Sequence, residues 1–274
     1  MSRDRKGFTI IELLVVVVLG TMVVGAAMQV LVTNQRTYNA QSAVISGQQS
    51  TRMAVEVLFA ELREVSPPGG DILAMSSDSI RVRLMRKFSV ICVTNFTGQP
   101  ALTVVRLGQG PNAFAVNDSV FIFADNDEDI DSDDVWIIAQ VTAVDQAVTV
   151  LCPQDLTPAH TLTFSGQSAL FAADSVGLGA PVRSFEEYTF GLTTMAGDRY
   201  LARRSGGGDM IPIAGPLRPT GGLEFVYRDA DGVVTAVPAD VRQIEVTIRT
   251  GSTVLNSLGR MVSDSVNVWI YTRN

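Results

Sequence analysis

KGFTIIELLVVVVLGTMVVGAAMQVLV, the stretch from Lys6 to Val32, decides the fold of this chain. Arg3, Arg5 and Lys6, with one acid, Asp4, stand at its head, and no charged residue occurs from Leu13 to Met28. With Phe8 to Ile11 in front and Val30 to Val32 behind, the run is long enough to cross a bilayer core as a helix. One charge lies inside it, Glu12. A carboxylate in lipid is costly, so it calls for a partner or a function.

A secretory signal is cut after its apolar run, at a small-residue site. Here the candidate cut, between Gly7 and Phe8, comes before the run, so cleavage removes the cations and keeps the apolar helix. The residues Lys6, Gly7, Phe8, Thr9, Ile10, Ile11, Glu12 and Leu13 resemble the type IV prepilin signature, in which Gly precedes Phe and Glu stands fifth in the mature chain. The resemblance implies a prepilin peptidase that cuts at Gly7-Phe8 and methylates the new α-amine of Phe8. It also implies that Glu12 pairs with the N-terminal amine of a neighbouring subunit in the membrane. Each charge is expensive alone in lipid, and pairing offsets both penalties at one axial stagger only. Major pilins often carry a proline late in the apolar stretch, whereas here none occurs between Phe8 and Ser66. Gly20 and Gly25 are the weak points within the apolar stretch.

Outward from this segment the helical pattern continues. Leu31, Tyr38, Ile45, Arg52 and Phe59 fall at sevens, and Val55, Leu58, Leu62 and Val65 fill a stripe near the far end. Thr33 to Ser50 is polar, whereas the section after Met53 is apolar, as expected if the far end packs into a head. Pro67, Pro68, Gly69 and Gly70 stop the helix. From Phe8 to Val65 it measures roughly 85 Å at ~1.5 Å per residue.

From Asp71 the period becomes two. Strands are expected at Ser79 to Thr94, Ala101 to Leu107, Ser119 to Ala124, Val135 to Val144 and Ala147 to Cys152. Later ones are expected at Glu186 to Leu192, Arg199 to Arg204, Leu223 to Tyr227, Val241 to Thr250 and Ser265 to Thr272. In the strand around Val246, Ile244 and Ile248 share its face while Glu245, Thr247 and Arg249 take the other, so one face covers a core. The fold class is therefore α+β: a long N-terminal helix, transmembrane in its first half and amphipathic in its second, then a β-rich head of mainly antiparallel strands. The expected division is a leader at 1–7, the helix at 8–66 with its membrane span about 8–32, and the head at 67–274. The pattern Tyr200, Arg203, Phe225, Tyr227, Asp229, Asp231 and Gly232, followed by Ile-x-Val-x-Ile, resembles the larger minor pilins and pseudopilins of the PilW and PulJ kind.

Few constellations suggest chemistry. Asp125, Asp127, Asp129, Asp131 and Asp133 alternate in one loop and offer the hard oxygens that Ca²⁺ takes. Asp125, Asp127 and Asp129 match the first three ligand positions of an EF-hand, but Ile130 stands where Gly is required and Trp136 where the bidentate Glu belongs. A solvated acidic hairpin tip is the other reading. Cys92 and Cys152 permit one disulfide in an oxidising compartment, or two buried thiols. The lone histidine, His160, sits in a Pro-flanked loop without a nucleophile or zinc motif, and Gly206-Gly207-Gly208 lacks the residues of a phosphate loop. These features argue for a protein that is not an enzyme.

The formal charge is −7. Loss of Met1–Gly7 removes three cations and one anion and leaves −9. That balance argues against a nucleic-acid partner. Arg81, Arg83, Arg86 and Lys87, and Arg199, Arg203 and Arg204, are expected on exposed strand faces opposite acids. The resemblance implies a structural minor subunit of a type IV pilus or type II secretion pseudopilus, at or near the filament tip, that initiates or caps assembly. Its partners are major and minor pilins or pseudopilins, prepilin peptidase, an inner-membrane assembly platform and membrane lipid. It places the leader in the cytoplasm of a bacterium and the head in the periplasm or outside. A tip adhesin, or a ligand- or DNA-binding pilin-like protein, is the alternative.

Overall fold

The computed structural model describes residues 9–96, 99–107, 113–125, 134–164, 176–255 and 261–273. A single α-helix among them, α1 (Ile10–Leu62), leads into twelve strands. It starts where Thr9 caps it and stops at Leu62, where the Arg63 N–H still reaches the Phe59 carbonyl at 3.3 Å. The end comes three residues before Val65 because Pro67 and Pro68 deny the chain both helical hydrogen bonds and helical φ/ψ just ahead of them.

The strands are β1 (Ile72–Met75), β2 (Ile80–Asn95), β3 (Ala101–Val105), β4 (Ser119–Ala124), β5 (Val135–Asp145) and β6 (Ala159–Phe164). They continue as β7 (Pro181–Met195), β8 (Asp198–Ser205), β9 (Ile211–Leu217), β10 (Leu223–Arg228), β11 (Gln243–Leu255) and β12 (Met261–Tyr271). All pairings are antiparallel. Three strands not expected from the pattern appear: β1, β6 and β9. Ala147 to Cys152, expected as a strand, is instead a turn with one isolated bridge, Leu151 to Pro158. Its apolar residues are the end of a loop that brings Cys152 inward rather than a ladder.

Two cores result. In the first, the open sheet β1-β2-β7-β8-β9-β11 with β10 and β12 packs against the end of α1. Ala54, Leu58, Leu62 and Val65 meet Ile80, Val82, Phe190, Leu201, Ile244, Val246 and Ile248, all fully buried. Each buried Leu or Ile contributes about 1.5–3 kcal/mol. In the second core, β2, β3, β6, β5, β4 and β7 pair in a closed ring, because β7 pairs with β4 on one side and β2 on the other. Leu102, Val104, Val120, Ile122, Leu162 and Phe164 fill that ring. β2 and β7, of 16 and 15 residues, belong to both. Bulges at Met85/Lys87 and Val141/Ala143 bend β2 and β5 so that the ring closes.

The packed face of α1 differs from the spacing at sevens. Tyr38, Ile45 and Phe59 are exposed, while Ala40, Ala43, Gly47 and Ser50 are half-buried and lead into buried Thr51 and Ala54. Small side chains let the β11–β12 hairpin lie close to the helix. A Cβ at Gly47 would come within 3.2 Å of Thr250 Oγ1, and Ser50 donates to the Gly215 carbonyl at 2.7 Å.

Candidate assembly interface

The N-terminal half of α1 is built for an apolar surrounding. From Ile10 to Asn39 every residue is exposed, so the head covers none of it. The helix is long and apolar enough to cross a membrane. Its hydroxyls need no outside partner, since Thr21, Thr33 and Thr37 donate to the carbonyls of Val18, Gln29 and Thr33 at 2.9, 2.9 and 3.0 Å.

Glu12 sits in a capping box. Its N–H donates to Thr9 Oγ1 at 3.3 Å, and its Oε2 accepts from the Thr9 N–H at 3.2 Å and from the Thr9 hydroxyl at 3.1 Å. The carboxylate thus closes the helix start by itself. A carboxylate has roughly four acceptor positions, so this cap leaves capacity for an ammonium from outside. Gly7 and Phe8 lie outside the described residues.

At the other end of α1, the turn after Pro68 is tied to the barrel. Asp71 receives a bidentate pair of bonds from Arg183, 112 residues on, both at 3.2 Å, and a third from the Ser66 N–H at 2.9 Å. The Arg183 guanidinium lies 4.6 Å from both the Phe121 and Trp136 ring centres. Burial pushes the Asp71 carboxyl above its ordinary value, against the pull of Arg183 and the Ser66 N–H. Neither residue was singled out from sequence. The one local signal was an acid directly after the Pro-Pro-Gly-Gly turn.

The remaining sequence candidates scatter. Cys92 and Cys152 are bridged at 2.03 Å with Cα atoms 5.6 Å apart, on the wall of the barrel. Asp125, the residue after β4, has a buried Oδ1 with no hydrogen-bond partner among the described residues, whereas Asp127, Asp129, Asp131 and Asp133 lie outside them. No group of metal-ligating side chains converges among the described residues. His160 is not in a loop but in β6, opposite Val104, and is buried. Burial, with Arg106 nearby, lowers its pKa. β7 starts at Pro181, five residues before the expected Glu186, so Glu186 and Glu187 lie inside it, opposite Leu84 and Arg83 of β2.

Most of the sheet cations singled out are engaged. Arg81 and Arg83 meet Glu187 at 2.5 and 3.7 Å, Arg86 meets Glu61 and Glu186, Lys87 meets Asp118, and Arg203 meets Glu61. Glu61 lies on α1, so Arg86 and Arg203 also clamp the helix to the sheet.

Residues 2–28 match the family model for the prokaryotic N-terminal methylation motif. The match ends inside the exposed half of α1 and leaves both cores of the head unmatched. It points to a type IV pilin-like structural subunit that a prepilin peptidase processes and that assembles with other pilins. No curated protein and no solved structure matches the chain.

Proposed function

We propose that this chain is a minor subunit of a type IV pilus or of a type II secretion pseudopilus, placed at or near the filament tip to initiate or cap assembly. One observation carries the reading. The methylation motif runs directly into a helix whose first thirty residues are left uncovered while its last third is a layer of the head. Such a helix has an apolar surface that no described part of its own chain buries, and side-by-side packing of subunits supplies the cover. Met1–Gly7 is the leader, and Phe8 becomes the methylated terminus. Glu12 takes the amine of a neighbouring Phe8 while keeping its cap on Thr9. The head, with its disulfide, sits on the oxidising side of the inner membrane. Its bulk, two cores on one stalk, suits a cap better than a tightly packed shaft.

Mass spectrometry of the mature chain should find Phe8, methylated, at the N-terminus; any other start removes the prepilin reading. Glu12→Val should leave membrane insertion intact and lower recovery in sheared filaments at least tenfold. Undiminished recovery would sink the pairing role of Glu12.

A further inference from the structure

Among the described residues, every long strand of the head but one is flanked on both sides. The barrel has no edge, because its six strands close on themselves. β1 has only 4 residues and lies against the 3-10 turn Pro238–Asp240. The outer side of β10 meets the β1–β2 turn, where the Phe225 N–H donates to the Ser77 carbonyl at 2.8 Å and the Tyr227 hydroxyl to the Ser76 carbonyl at 3.0 Å. β12 pairs with β11 and with no other strand among the described residues.

Pairing parity shows which groups the open edge carries. The Thr272 N–H donates to the Arg242 carbonyl at 3.1 Å, so even-numbered residues of β12 turn their backbone groups to β11. Ser265, Asn267, Trp269 and Tyr271 turn theirs outward. Asp264 Oδ1 takes the Ser265 N–H at 3.0 Å, and beyond it no strand among the described residues pairs with the outer edge. From Ser265 to Thr272 there is no charge, proline or glycine, so the devices that usually blunt an edge are missing. Trp269 and Tyr271, 43% and 64% exposed, stand two residues apart on the solvent face, where they would meet the side chains of an added strand.

The helix excludes a second copy paired antiparallel through the same edge. Thr250, which pairs with Asp264, lies at Gly47, and the Arg273 N–H donates to the Val65 carbonyl at 2.9 Å. β12 therefore runs in the same direction as α1. Antiparallel pairing of two β12 strands needs a two-fold axis across them, which points the two helices in opposite directions. Two chains anchored side by side in one membrane cannot do that.

We propose that the open edge of β12, from Ser265 to Thr272, takes an antiparallel strand from the head of a different subunit anchored alongside. The added strand is uncharged at this stretch and places apolar side chains over Trp269 and Tyr271, with backbone bonds giving affinity and these side chains giving selectivity. This rests on the filament reading above.

The test places a photo-crosslinking amino acid at Ser265, Asn267 or Trp269, and separately at Val24 in α1, in the full chain expressed with its sibling subunits. The expected result is cross-linking from all three β12 positions to one contiguous segment of one sibling. The cross-linked residue should retreat by two for each advance of two, as an antiparallel ladder requires. Asn267→Pro removes an outward N–H and the side-chain bonds from Asn267 to Glu245 and Thr247, but no backbone bond to β11. It should lower the yield at Ser265 at least tenfold, whereas Asn267→Ala, which loses only the side-chain bonds, should keep the yield. Should Asn267→Pro fold poorly, Asn267→Lys, which charges the edge, should give the same loss. Cross-links at Val24 with none, scattered ones or self-links at β12 would overturn the edge proposal and leave the filament reading standing. No cross-links at Val24 either would overturn both.

Discussion

The two cores of the head solve the same problem in opposite ways. The barrel buries the inner face of β2, β3, β4, β5, β6 and β7 on itself, its curvature comes from bulges, and a disulfide staples its wall. The open sheet cannot close, so it borrows the end of α1 as its second layer and leaves β12 at an edge. Closure makes the barrel self-sufficient and leaves its backbone nothing to offer. Dependence on α1 makes the open sheet the part that transmits the position of the helix, and the part with backbone groups to share. Asp71 and Arg183 join the two, since one follows the helix and the other lies in the barrel wall.

The largest expected effect breaks the barrel alone. Replacing Cys92 and Cys152 together by Ser should cost about 4 kcal/mol for a loop of 60 residues in the chain-entropy account. Hydrogen exchange should rise at Leu102, Val120 and Leu162 and stay unchanged at Ile244 and Val246. Equal loss in both sets would show that the two cores unfold as one unit.

Leu58→Ala is the converse. It opens a cavity under the open sheet and should cost about 3 kcal/mol in denaturant melts. Protection should fall at Ile244, Val246 and Ile248 while the barrel amides hold; a loss confined to the barrel would contradict the division.

Asp71→Asn sharpens the join. It leaves the buried Arg183 cation without its counter-charge and should cost about 2 kcal/mol. Its signature should be earlier proteolysis near Pro67–Asp71 with both cores still protected. If either core loses protection as well, the pair is part of that core rather than a tie between the two.

The smallest effect is a pH slope from the barrel. The folded pKa of His160 is lowered by burial and by Arg106, so below about 6.5 the unfolded chain binds a proton that the fold resists. The contribution is present above that pH and is lost as pH falls through the folded value. Between pH 6.5 and 5 the wild-type barrel should lose stability, and His160→Gln should flatten that slope. Equal slopes in both proteins would remove His160 as the cause.

What was legible in the sequence was local. The charge pattern and apolar run from Lys6 to Val32 specify a helix and its surrounding without reference to any other part of the chain. The Pro67-Pro68 stop and the alternation of Ile244, Val246 and Ile248 are equally properties of neighbouring residues. The tertiary structure decided what distance in sequence conceals. β6 was hidden because its residues pair with Ala101–Val105 and with Val141–Asp145, and a strand of six residues with a histidine inside carries little pattern of its own. The sevens of Tyr38, Ile45 and Phe59 marked a continuing helix and not its packed face: Leu58, Leu62 and Val65 at the far end are buried, but close approach of the β11–β12 hairpin further up rewards small residues that carry no apolar pattern. Ring closure, the Asp71–Arg183 tie and the open edge of β12 each depend on which strands meet, and pairing energy is spread over contacts that no short window contains.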